Sequence, residues 1–260
     1  MTPSMRRRAL RHRLDLVRNL VERDFATTYR RSMLGWLWSL LLPLAQLAVL
    51  VAVFQYVVPL DIPRYPAFVM SGLLPWTWFS GCLTAACSLF VASRDLVRRP
   101  NFSPSTLVVV SMLSSFTSYL VAVPILIGVV WWYGRPPAPS LGWMPVLAVI
   151  QGLLIVGLGL AVATLNVFYR DVQHIVAVGI MLAFYLTPVF YDVPSDAGAA
   201  RLLYFANPMA GLIHGYRSIF LEGAAPAAGP TIVAALVSAA VTAGGYLLYR
   251  RALPDVVDLV

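Results

Sequence analysis

Residues 23–38 read RDFATTYRRSMLGWLW, and from there to Asp61 the chain carries no Asp, Glu, Lys, Arg or His. Charge that stops at a pair of tryptophans is what a helix shows where it passes from water through headgroups into hydrocarbon. The stretch predicts the start of a first membrane span.

Composition extends that reading to the whole chain. Of 260 residues, 60% are hydrophobic and 12% charged, with a mean hydropathy of +0.78. A soluble domain carries about 25% charged residues, so the chain reads as a membrane protein with room for about six spans. The net charge of +8 is set by arginines, nine of them before residue 35. A basic flank beside a long apolar run is the mark of a cytoplasmic membrane face and does not require nucleic acid. A cleaved signal peptide is not expected, because more than thirty largely polar residues precede an apolar run long enough to span.

Six apolar segments follow, at 35–58, 66–92, 103–132, 143–169, 174–191 and 230–249. Ser103 with Pro104 predicts a cap and first turn for the third, and Pro136, Pro137 and Pro139 separate the third from the fourth. Counted by alternating compartment, fifteen arginines fall on one side and four on the other, which puts both termini in the cytoplasm. Before the first span, Leu10, Leu14, Val17, Val21 and Phe25 form one helical stripe opposite Arg11, Arg13, Arg18, Glu22 and Arg23. Residues 10–28 therefore predict an amphipathic helix, lying in the membrane surface or packed on a partner. Between Asp192 and Pro230, Ser195 and Asp196 predict a short helix through Tyr204. Asn207 and Pro208 predict a second, with Met209, Leu212, Ile213, Tyr216 and Phe220 on one face and Gly223 as its stop. Both are too brief to span; they dip into the outer leaflet or pack as an external cap.

Catalytic signals are missing. The chain has no GxxxxGK[ST], HExxH or GxSxG motif, and Asp255 and Asp258 read as solvated carboxylates. A membrane-bound glycan-processing enzyme is disfavoured, since the outer loops offer no paired-acid spacing. Cys82 and Cys87 lie about 7.5 Å apart in helical rise and read as packing residues without a disulfide. With His12, His174 and His214 scattered, no metal site is expected. The interiors of the six spans hold no Asp, Glu, Lys or Arg, whereas ion-coupled carriers need such groups. Energy is expected from a cytoplasmic partner. Residues 93–101, SRDLVRRPN, predict a short helix capped by Ser93 and stopped by Pro100. It is either a docking surface or a solvated positive loop.

Four blocks, RDFATTYRRSMLGWLWSLLLPL (23–44), LNVFYRDVQH (165–174), LTPVFY (186–191) and NPMAGLIHGYRSIFLEG (207–223), resemble the permease subunits of type-2 ABC exporters of lipid-linked polysaccharides such as O antigens, capsules and teichoic acids. The resemblance covers nearly the whole chain. It implies an all-α membrane protein, one transmembrane domain over 1–260 with a permease core at 35–250. It further implies a homodimer of six-span subunits in the bacterial cytoplasmic membrane, and two copies of a separate ATPase that binds the ATP and Mg, so that this chain holds no cofactor. It also implies an ATPase-coupling helix with Arg94, Asp95, Leu96, Val97, Arg98, Arg99 and Asn101, and a second contact at Arg170 and Asp171. Outer gate helices within 195–223 would carry Tyr204, Asn207, Pro208, Tyr216 and Arg217, and a lipid carrier would enter beside the amphipathic helix. A sugar polymer needs hydrogen-bond partners and stacking rings, which makes Trp36, Trp38, Trp76, Trp78, Phe79, Phe184, Tyr185 and Tyr191 candidates for its path or interface anchors. A type-2 exporter permease for small lipids or drugs is the alternative.

Overall fold

The structure is a computed structural model that describes residue 21 and residues 37–100, 102–193 and 207–260. The amphipathic stripe at 10–28 (save Val21), Trp36, Asn101 and the short helix through Tyr204 lie outside the described residues.

Eight α-helices follow in order among the described residues: α1 (Trp38–Val51), α2 (Tyr65–Ala92), α3 (Arg94–Val97), α4 (Ser105–Trp132), α5 (Met144–Phe168), α6 (Val172–Leu186), α7 (Pro208–Arg217) and α8 (Ala228–Leu259). Wider π-turns extend α1 through Ala52–Val57 and α7 through Ser218–Glu222, and a 3₁₀ turn, Pro139–Trp143, leads into α5. Among the described residues five segments are long and apolar enough to cross a membrane: Leu40–Val57, Tyr65–Ala92, Ser105–Trp132, Pro139–Phe168 and Ala228–Leu259. The chain is a multi-pass helical membrane protein.

The expected fifth span differs. Helix α6 has 15 residues, about 22 Å against a hydrocarbon core of about 30 Å. It stops because Pro188 disfavours helical backbone at the residue before it, and Thr187 turns to φ −96°, ψ 133°. Residues 187–189 then fold into the bundle, where Thr187 and Val189 are fully buried.

Two caps also differ from expectation. The Ser103 hydroxyl bonds the Ser105 hydroxyl at 2.8 Å and leaves the start of α4 uncapped by a side chain. Ser93 receives the Leu96 and Val97 amides on its backbone carbonyl while its hydroxyl caps nothing.

Helix α2 is central, packed against α1, α4, α5, α6 and α7, and apolar on nearly all sides for that reason. Its Pro75 sits mid-helix, and the buried Gln151 of α5 donates Nε2–H to the Pro75 carbonyl at 2.8 Å. The most extensive pairing joins α5 and α8. Gly157 and Gly245 let those backbones approach until a Cβ on Gly157 would lie 2.6 Å from Thr242, whose hydroxyl donates to the Leu153 carbonyl at 2.7 Å. Helix α8 runs on well past the expected end at 249. Tyr249, Leu253, Val256 and Val260 form a stripe at spacing four, three and four, and Pro254 is accommodated inside the helix. Cys82 and Cys87 are buried free thiols.

Candidate functional site

At one end of the bundle, α7 is wedged between the start of α8, the start of α5 and α2. Asn207 Oδ1 accepts the Met209 amide at 3.0 Å, its Nδ2 donates to Thr187 Oγ1 at 2.8 Å, and Pro208 occupies the first turn. This is the cap predicted from the Asn–Pro pair. Gly223 ends the extension at φ +69°, a left-handed conformation glycine adopts without steric strain. Met209, Leu212, Ile213 and Tyr216 are buried in the core, so the apolar face is turned inward, away from lipid. A Cβ at Gly211 would approach the Pro230 carbonyl at 3.0 Å and one at Gly215 the Leu147 side chain at 3.0 Å, which shows how closely α7 is held.

Arg217, at the end of α7, is 5% exposed. Its guanidinium lies 3.5 Å over the Phe68 ring and donates to the Val189 carbonyl at 2.9 Å. Gly72 makes the room, since a Cβ there would stand 2.9 Å from the Val189 carbonyl oxygen. One guanidinium is thus buried inside the bundle, against an aromatic face and a backbone carbonyl.

The candidate rings separate into two groups. Trp76, Trp78 and Phe79 are buried core residues. Trp76 packs on Phe79 and Phe184 with centroids 5.5 and 5.7 Å apart; Trp78 packs on Phe116 and Tyr119 at 4.8 and 5.4 Å and donates its indole N–H to the Met112 carbonyl at 3.3 Å. Trp38 and Tyr185 are exposed. Phe184 and Tyr191 are half-buried, with the Tyr191 hydroxyl donating to the Tyr185 carbonyl at 3.1 Å.

What opens beside these rings is a groove of about 650 Å³ between α1, α2 and α4, closed at one edge by Ile180 of α6. Its polar lining is Gln46, Thr77, Ser80, Thr84, Ser115 and Ser118, with no charged residue; Trp78 and Tyr119 form part of the wall. Thr77 and Thr84 donate back to carbonyls of their own helix at 2.9 Å, which keeps oxygen lone pairs for an outside donor. The buried Tyr119 ring packs against that of Tyr216, with centroids 6.2 Å apart. None of these hydroxyls was singled out from sequence; the helical spacing of Thr77, Ser80 and Thr84, matched by Ser115 and Ser118, is the pattern that marks the groove.

At the opposite end, α3 forms where SRDLVRRPN predicts a short helix. Arg94, Asp95, Arg98 and Arg99 are exposed, Leu96 is half-buried and Val97 is buried. Arg170 and Asp171, in the turn from α5 to α6, are exposed. This end belongs with the close of α5, because Val97 shares a cluster with Leu160 and Ala163.

A multi-pass bundle with a charge-free, hydroxyl-lined groove and an exposed basic connection has the features of a membrane transport subunit. Its family is specific: residues 15–221 match the ABC-2 type transporter family, and the chain belongs to that family. It is similar to an O-antigen export system permease protein RfbA of Myxococcus xanthus, 34% identical over 225 residues that cover 86% of each chain. The protein of that name in Klebsiella pneumoniae is 30% identical over 80% of this chain and 81% of its own. The polysialic acid transport protein KpsM of Escherichia coli is 21% identical over 80% and 81%.

Proposed function

We propose that this chain is the permease subunit of an ATP-driven exporter that carries an undecaprenyl-linked polysaccharide, such as an O antigen, galactan, capsule or teichoic acid, across the bacterial cytoplasmic membrane. Similarity to O-antigen export permeases along most of both chains carries the reading. The geometry supports it. Sugar hydroxyls that leave water need acceptors and donors in its place, and Gln46, the threonines and the serines of the groove supply them.

In this reading the subunit makes six crossings, α6 with residues 187–193 completing the short one, and works as a homodimer with both termini in the cytoplasm. The end that carries residues 94–99 faces the cytoplasm and receives two ATPase subunits, which bind ATP and Mg; Arg170 and Asp171 make the second contact. Lipid-linked substrate enters beside the amphipathic segment at 10–28. Helix α7, with Arg217, stands at the outer mouth.

Two measurements test it. Arg98→Cys, co-expressed with the proposed partner ATPase, is expected to crosslink to it; no crosslink in any nucleotide state sinks the coupling assignment. Depletion of the chain is expected to leave lipid-linked glycan on the inner face. Unchanged surface glycan, with a small lipid or drug retained in its place, would transfer the assignment to small-molecule export.

A further inference from the structure

The end of the bundle bearing Arg94, Arg98 and Arg99 has a hydrophobic cluster of its own, separate from the main core. Phe90, Val97, Leu107, Tyr249 and Val256 are among its buried members. Helix α3 has four residues, and isolated helices shorter than about 12 residues are marginal in water. Its position must come from whatever Val97, 2% exposed, is buried against.

The end of α8 reaches the same cluster. The helix has 32 residues, about 48 Å against about 30 Å of hydrocarbon, so its last turns extend past a span. Tyr249 touches both flanks of the connection that contains α3. Its ring lies 6.1 Å from that of Phe90, near the close of α2, and its hydroxyl oxygen accepts the Ser105 amide at the start of α4 at 3.3 Å. Two turns on, Val256 is fully buried in the cluster that holds Val97, with Leu253, Val257 and Val260 packed around it. Asp255 and Asp258 on the same turns are exposed.

We infer that residues 249–260 are a positioning platform for the 94–99 segment, and that the surface met by the ATPase is set jointly by α3 and the end of α8. The inference rests on the assignment of 94–99 as the ATPase contact. Its mechanical content is specific. A push on α3 passes through Val97 to α8, and α8 is joined to α5 along the Gly157–Gly245 seam. The stroke therefore acts on the α5–α8 pair as one body.

The test uses the full-length permease with its ATPase in membranes, with Arg98→Cys as the crosslinking site. Val256→Ala is expected to slow the crosslink about fivefold and to lower glycan exported per ATP hydrolysed by a similar factor, while Val256→Ile stays within about twofold. Amide exchange at residues 96–98 is expected to quicken about tenfold in Val256→Ala, with the amides beside Gly157 and Gly245 unchanged. Tyr249→Phe, which loses only the bond to Ser105, shows the same pattern more weakly. Unchanged exchange and crosslinking in Val256→Ala would overturn the platform, and so would exchange that quickens equally along α5 and α8. If the Arg98→Cys variant never crosslinks even with Val256 intact, the ATPase assignment fails, while the exchange data still decide whether α8 holds α3.

Discussion

Along the seam between α5 and α8, a Cβ added at Gly157 would lie 2.6 Å from the Thr242 backbone, whereas one added at Gly81 on α2 would meet nothing within 4 Å. Both glycines sit in apolar helices among small neighbours. At the seam, small residues let two backbones approach, which in a membrane substitutes dispersion and close packing for a hydrophobic drive that lipid does not provide. At the groove, Ser80, Gly81, Thr84 and Ala85 leave space unfilled beside α1 and α4. Small residues thus serve rigidity on one side of the molecule and vacancy on the other. Which role a glycine plays depends on what stands opposite, and one helix alone does not carry that information.

The contrast is easiest to break at the seam. Gly157→Ala forces a methyl into the Thr242 backbone, which cannot yield as a side-chain tip would. A loss of about 3 kcal/mol is expected, read as a lowered melting temperature in detergent. An unchanged melting temperature would mean that the two helices are not in contact. Gly81→Leu is expected to fill the groove and lower glycan export about tenfold while the protein melts as before; a normal export rate would remove the groove from the path. Away from both, Asn207→Ala deletes the cap of α7 and the bond to Thr187, for about 1 kcal/mol. Smallest of all, Gly81→Ala is expected to stay within about 0.5 kcal/mol of the parent, on the stabilising side, because it replaces a poor helix former with a good one in open space.

Five of the six expected spans were legible in sequence because hydrocarbon imposes one demand on every residue that faces it. Asn207–Pro208 and Gly223 were legible because their caps are local. The last apolar segment was expected to end at 249, just before Arg250 and Arg251, whereas helix α8 runs on to Leu259. The Tyr249, Leu253 and Val256 stripe that carries it onward needed the cluster around Phe90, Leu107 and Leu160 to give it meaning. Trp76, Trp78 and Phe79 were candidates for the path because an aromatic ring suits a sugar and a core equally. Their burial against Phe184, Phe116 and Tyr119 follows from which helices are neighbours, a matter of long-range packing. The end of α6 was missed, since the expected segment ran through Pro188 to 191, and the inward fold of the residues after it depends on long-range packing.

Arg217 bears on how the α7 end can move. Its guanidinium is shared between the Phe68 face on α2 and the Val189 carbonyl in the turn after α6. A cation out of water cannot surrender one of these partners without a large electrostatic penalty unless another takes its place. Three pieces of chain far apart in sequence are in effect riveted by a single side chain. Any rearrangement there must carry all three along as one block, or exchange the rivet for water or an incoming ligand in the same instant.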